Sequence, residues 1–270
     1  MGKGCGYWWL KRVGRVEYFT MILDYELTAF IAIVAIVLVA GTVKVTLGVG
    51  FALIGTPLLL LVMDAPDVVG FIVPLVLLQD LIILRQTWKR TPWRSAAIMA
   101  ISAVVVVPFA SLLHTALSPE DLRVAISLTI IVAGVVLLSG VQFTFRNESR
   151  ALVIAGAISG ALFPLAGISG PPVALFLVNQ RWEMTTMRAV LAAFLVVLET
   201  VTITSFVVGG VVDGESLLLD AMMIPVLALA VVISTFLLRG IDSNRYRKAV
   251  TLVIVTSAVL GLVSLIFSYV

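Results

Sequence analysis

Three ionisable side chains, Lys44, Asp80 and Glu199, stand inside runs of sequence that are otherwise apolar. A charge in such surroundings is costly, so it is kept where it pairs, binds a ligand or carries a proton. Lys44 lies four residues before Gly48 in "VKVTLGVGF" and offers a positive anchor for an anion; the bland alternative is a lysine snorkelling to a membrane surface. Glu199 lies ten residues past Ala189, deep in its run, where a buried carboxylate suits a proton-coupling site. Its structural alternatives are pairing with Lys44 or capping a broken backbone. Asp80, next to Gln79, either shares that coupling role or forms an ion pair with Arg85, five residues on.

Other chemistry is scarce. Cys5 is the single cysteine and His114 the single histidine, so disulfides and the usual zinc and haem constellations are excluded, and neither metal nor cofactor is expected. His114, beside "TALSPED", reads as an interfacial residue. The stretch Gly167-Ile168-Ser169-Gly170 matches the G-x-S-G of intramembrane serine proteases, but a serine nucleophile needs a base within reach. The histidine comes 55 residues before that serine, and two prolines follow the motif, so no catalytic residue is assigned and the protease stays a remote reading. A nucleotide-binding G-x-x-x-x-G-K-S/T loop is missing, which argues against ATP drive by this chain.

The elements that must position these residues are membrane helices. Of 270 residues, 61% are hydrophobic and mean hydropathy is +1.17, more apolar surface than a soluble domain can bury. Net charge is only +3 with a pI near 9.2, read as basic flanks facing the cytoplasm and not as a nucleic-acid surface. Apolar runs fall near 27–47, 49–63, 67–85, 95–114, 122–142, 150–166, 171–180, 187–208, 219–238 and 249–268. Most reach the roughly 20 residues that cross a bilayer. The runs 49–63 and 171–180 are short, and each follows a glycine-rich break. Residues 1–26 form an N-terminal extension, basic through Lys3, Lys11, Arg12 and Arg15, without the apolar core of a secretory signal.

The breaks are unusual. Residues 151–180 contain no charged side chain, yet "GISGPP" interrupts them. Broken backbone is tolerated at membrane depth only where it is buried in protein or lines a watery cavity. Ser169 can cap, Gly170 can take unusual dihedrals, and Pro171 and Pro172 suit a helix start, giving a half-membrane helix over 171–180 that ends at Asn179 and Gln180. In the first half "GVGFALIGTP" supplies Gly48, Gly50 and Gly55, with Thr56 before Pro57 as a second start signal. Helix starts present unpaired N–H groups and a positive dipole end, so two of them facing each other make an anion site.

The two halves correspond. A shift of 119 residues places Gly41 on Gly160, Gly48 on Gly167 and Asp80 on Glu199. The connections change sign between halves. Residues 85–94 carry four bases and no acid, while their counterpart 209–220 carries Asp213, Glu215 and Asp220 and no base. Residues 114–123 net −1, and 239–248 net +3. Since basic short loops stay cytoplasmic, the halves should have inverted topology, five segments each. The organisation expected is a first membrane repeat over 27–142, a cytoplasmic linker over 143–150 and a second repeat over 151–270. Segments 85–94, 143–150 and 239–248 then lie inside and both termini outside. A start at Met21 would suit an outer N-terminus better than the basic first twenty residues.

Inverted repeats with paired interrupted helices are the pattern of secondary transporters, with substrate bound near the midplane. An internal repeat favours alternating access over a passive channel or permease, which is the runner-up. The stretch "ALFPLAGISGPPVALFLVNQRWEMTTMRAVLAAFLVV" resembles the second-repeat signature of the sulfite exporter TauE/SafE family: Gly167, Gly170, Pro171 and Pro172, then Met187, Arg188 and Ala189 at the opening of the next helix. The first repeat keeps Gly48, Gly50 and Pro57 but has Phe51 where a third glycine is common, and it lacks the usual A-x-x-T-S-L stretch. The resemblance implies a multi-pass carrier in the inner (plasma) membrane that exports sulfite, an organosulfonate or another small anion. Candidate substrate contacts are Lys44, Gly48, Gly50, Thr56, Gly167, Ser169, Gly170, Pro171, Pro172, Asn179 and Arg188, with Glu199 and Asp80 for coupling. Arg188 either gates anions or stabilises the polar turn before its helix. Gly156 and Gly160, four apart, suit packing inside the bundle or between the protomers of a homodimer.

Overall fold

The computed structural model describes residues 27–48, 50–138, 147–169, 173, 183–212 and 214–238. Among these all regular structure is helical: α1 (Leu27–Leu47), the short α2 (Phe51–Leu59), α3 (Ala65–Thr87), a 3-10 turn (Trp88–Arg90), α4 (Trp93–Ala116), α5 (Pro119–Leu138), α6 (Glu148–Ala166), α7 (Met184–Val208) and α8 (Gly214–Leu238). Six of them, α1, α3, α4, α6, α7 and α8, are long and apolar enough to cross a membrane. The protein is a polytopic helical membrane protein.

Local sequence explains several boundaries. Asn147 accepts a hydrogen bond from the Arg150 N–H at 3.2 Å and starts α6, so the last residues of the 143–150 linker already belong to that helix. Ser118 exchanges hydrogen bonds with Asp121 and starts α5. Prolines interrupt α2, α3, α4, α6 and α8 without ending them, as membrane helices allow.

Packing repeats with the halves exchanged. α4 of the first half lies along α6, the opening helix of the second, and α8 of the second half lies along α1, the opening helix of the first. α3 lies against α7; α7 also packs on α4, and α3 on α8. α3 is the most enclosed crossing, with 72% of its apolar window buried against 22% for α8. The outward face of α4 is apolar through Ile101, Val105, Phe109 and Leu112, a surface suited to lipid. Gly156 and Gly160 face α4: a Cβ at Gly156 would come within 2.3 Å of the Met99 carbonyl oxygen and the Ser102 hydroxyl, so this spacing serves packing inside the bundle.

Three sequence expectations change. Asp220 lies not in a connection but two turns into α8, with a buried side chain, because the helix starts at Gly214 and reaches past the acidic residues. His114 does sit in the last turn of α4, but it is buried against Phe206 of α7, with ring centroids 4.9 Å apart, and not at a wet surface. Thr56 does not start a helix: α2 begins at Phe51 and runs through Thr56 and Pro57.

Candidate functional site

α1 stops where Gly48 turns left-handed, at φ 81°, with its N–H on the Lys44 carbonyl. Gly50, also left-handed at φ 112°, launches α2, whose first turn is Phe51, Ala52 and Leu53. These N–H groups precede the first carbonyl that α2 can offer them, which makes this helix end electropositive. In the second half Gly167, at φ 70°, ends α6 with its N–H on the Phe163 carbonyl, and the chain continues through Ile168 and Ser169. Ser159 donates to the Ser169 carbonyl at 2.9 Å and fixes this turn from within α6.

The two breaks meet. A cavity of about 20 Å³, room for roughly one water, is lined by Gly50 to Leu53 on one side and Gly167 to Ser169 on the other, with Lys44, Phe163, Leu195 and Glu199 completing its wall. Thr56 is fully buried in α2 and donates to the Ala166 carbonyl at the end of α6, at 3.5 Å, joining the halves beside the cavity.

Lys44, Asp80 and Glu199 come together although 36 and 119 residues separate them in turn. The Lys44 ammonium donates to Asp80 Oδ2 at 2.6 Å and lies 3.7 Å from Glu199 Oε1, with all three side chains buried. This arrangement answers the alternatives left by the sequence. Lys44 does not snorkel, and Asp80 pairs with Lys44 and not with the exposed Arg85. Gln79, one residue before Asp80, donates to the Gly41 carbonyl at 3.1 Å and ties α3 to α1 just above the cluster.

Arg188 of α7 does not line the cavity and lies instead at the end of α1. Its guanidinium donates to the Val45 carbonyl at 2.7 Å, one of the carbonyls that α1 leaves unpaired at its end, and its side chain lies against Gly48. A buried cation at a helix C-terminus complements the dipole. Arg123 of α5 holds the Leu60 carbonyl at the far end of α2 in the same manner. Gly170, Pro171, Pro172 and Asn179 lie outside the described residues, as does the 171–180 half-helix apart from the buried Val173.

A profile described as Sulfite exporter TauE/SafE matches residues 33–260, most of the chain and all of the site. The chain belongs to the sulfite exporter TauE/SafE family. No curated protein and no solved structure matches it. Membership makes it one of a family of membrane transporters, consistent with its apolar crossings and its two facing breaks. Within this TauE/SafE chain the sequence pointed to the polar members of the site but missed its apolar wall. Phe163 had a signal: it stands 119 residues after Lys44, so the repeat that pairs Asp80 with Glu199 pairs the lysine with an aromatic.

Proposed function

We propose that this chain is a secondary-active exporter of small anions, sulfite, an organosulfonate or a related sulfur or carboxylate anion, working by alternating access between two inverted halves in the inner membrane. One observation carries the reading: a buried lysine, held between two carboxylates at equivalent positions of the halves, stands at the wall of a cavity formed by the first turn of α2 and the break after α6. The anion approaches the Lys44 ammonium and the N–H groups of the α2 start, an arrangement that needs no further cation. The reciprocal packing of the halves supports a rocking exchange around this point.

The cluster also supplies a control. With both carboxylates charged it carries one net negative charge, which repels an anion; one added positive charge makes it neutral. A unit charge at 4 Å is worth about 4 kcal/mol at an effective dielectric near 20, so the gain of a single cation favours entry of an anion. The cavity is smaller than a polyatomic anion, so on this reading the two breaks move apart to admit one.

The test is purified protein in liposomes loaded with a pH-sensitive dye and offered sulfite, small sulfonates, carboxylates and sulfate. Flux of a sulfur anion that is lost in Lys44→Ala supports the carrier. Anion flux untouched by Lys44→Ala and Glu199→Gln would put the site elsewhere, and flux that never saturates would favour a passive channel.

A further inference from the structure

The carrier reading leaves the coupling ion open between protons and sodium, and the geometry of the cluster separates them. We propose that this carrier takes protons and is closed to sodium, because Lys44 is a built-in cation in the position where a sodium ion would sit, and that Glu199 is the carboxylate that gains and loses the proton. The proposal rests on the carrier reading above.

A sodium site needs several oxygens converging on one point that is free of other positive charge. Here the point between Asp80 and Glu199 is filled by the Lys44 ammonium, 2.6 Å from one carboxylate and 3.7 Å from the other. A second cation would have to enter beside the first. A proton needs no such space; it adds to a carboxylate oxygen, and the net charge of the cluster goes from −1 to zero.

The two acids are not equivalent. Asp80 is engaged by the hydrogen bond from Lys44 and does not line the cavity. Glu199 lines it and is fully buried; among the described residues its neighbours are the Lys44 ammonium, at 3.7 Å beyond hydrogen-bond length, and the Asp80 carboxyl. A proton arriving by way of the cavity therefore meets Glu199. The charged groups that face Glu199 are Lys44 from α1 and Asp80 from α3. Of the other elements packed on α7, α4 brings His114, which contacts Phe206 two turns away; the 3-10 turn brings Lys89 and Arg90, both exposed; and α6 has its charges, Glu148 and Arg150, exposed at its start. Among the described residues, the cluster is thus a lysine and two acids with no further charge beside it.

The experiment reads the cluster with and without transport. In purified protein, the infrared carboxyl band is followed as pH falls in three proteins that all carry Asp220→Asn, which removes the other buried carboxyl, in α8: the otherwise wild-type chain, Glu199→Gln and Asp80→Asn. The expected result is a buried carboxyl signal present in wild type and Asp80→Asn and lost in Glu199→Gln. Melting is followed in sodium against potassium salt. Wild type and Lys44→Arg are expected to be indifferent to sodium, whereas Lys44→Ala, with two carboxylates left facing a vacancy, gains stabilisation by sodium. In liposomes, anion affinity should fall about tenfold per pH unit above the titration of Glu199, as a single linked proton requires, and stay flat in Glu199→Gln. A sodium-dependent wild type, or a carboxyl signal surviving in Glu199→Gln, overturns the proposal. The expected infrared and sodium results without flux of any anion would overturn the carrier reading while upholding this assignment of the cluster.

Discussion

Gly48 and Gly167 stop their helices in the same way. Each has a left-handed backbone, at φ 81° and 70°, and each N–H donates at 2.7 Å to the carbonyl four residues back. The acceptors, Lys44 and Phe163, are separated by the same 119 residues as the glycines. The correspondence between the halves thus extends to the hydrogen bond that ends each opening helix, and both the lysine and the aromatic line the same cavity.

A side chain in the left-handed region costs about 1–2 kcal/mol, so Gly48→Ala and Gly167→Ala should both lower the melting temperature. Gly48→Ala should cost more, since its new Cβ would lie 3.1 Å from Arg188 Cγ, while the nearest atom at Gly167 is 3.6 Å away. Gly210→Ala is the control: it has the same strain, at φ 73°, with nothing within 4 Å. Melting curves in which Gly48→Ala matches Gly210→Ala would show that Arg188 does not press on the break.

The Gly156 contact predicts a larger effect. A methyl group there would meet the Met99 carbonyl oxygen and the Ser102 hydroxyl at 2.3 Å, and the first of these is backbone that cannot swing aside. Overpacking of this kind costs about 1–3 kcal/mol, occasionally more. Gly156→Ala should melt well below wild type, and Gly156→Leu should fail to yield folded protein. At Gly41 the closest atom to a new Cβ is the Gln79 amide nitrogen at 2.8 Å, the mobile end of a side chain, so Gly41→Ala should be the milder change. Equal loss at both positions would mean that α4 and α6 can separate freely.

Much of this was legible from residue type alone. Long apolar runs outlined α1, α3, α4, α6, α7 and α8 to within a few residues, because a crossing demands length and apolarity and little else. The glycine breaks were legible because glycine is the residue that takes a left-handed turn cheaply. What the sequence hid was the choice of partner. Asp80 lies five residues from Arg85 and 36 from Lys44, yet the fold turns Arg85 outward and brings α1 against α3. Asp220 and His114 were misplaced for a related reason: residues near the end of an apolar run look exposed, but their burial depends on what the fold packs against them, Phe206 of α7 in the case of His114.

Arg188 tests whether the α1 end must be capped from the other half. Removing it leaves the buried Val45 carbonyl without this donor, at a cost of about 1–3 kcal/mol. Arg188→Ala should destabilise the protein and lower anion flux together, whereas Arg188→Lys, which retains a charge but loses the planar fork, should recover part of the stability. A fully stable Arg188→Ala with flux abolished would instead place Arg188 on the anion.

The proposed inversion of the halves can be tested with single cysteines. Cys5 is the only native cysteine, so Cys5→Ser gives a clean background. Trp88 and Trp93, exposed with centroids 4.3 Å apart beside Lys89 and Arg90, suit a cytoplasmic interface, where aromatic and basic residues collect. Lys89→Cys should therefore react with an impermeant thiol reagent only from the cytoplasmic side, and Val208→Cys, 119 residues on and exposed at the end of α7, only from the outside. Labelling of both from one side would break the inversion, since the two stand at equivalent positions of the halves.

The cluster offers the sharpest energetic test, because its three members should differ. Breaking a buried ion pair by removing one partner typically costs about 3–5 kcal/mol, since it leaves the other charge uncompensated. Asp80→Asn takes away the carboxylate that hydrogen-bonds the Lys44 ammonium at 2.6 Å and should show most of that loss. Glu199→Gln removes the carboxylate that stands farther off, 3.7 Å from the same ammonium, and should melt close to wild type. Double-mutant cycles make the comparison independent of each residue's other contacts: Lys44→Ala with Asp80→Ala should show strong positive coupling, and Lys44→Ala with Glu199→Ala clearly less. Equal coupling in the two cycles would mean that Lys44 divides itself evenly between the halves, and the structural reason for assigning the proton to Glu199 would be gone.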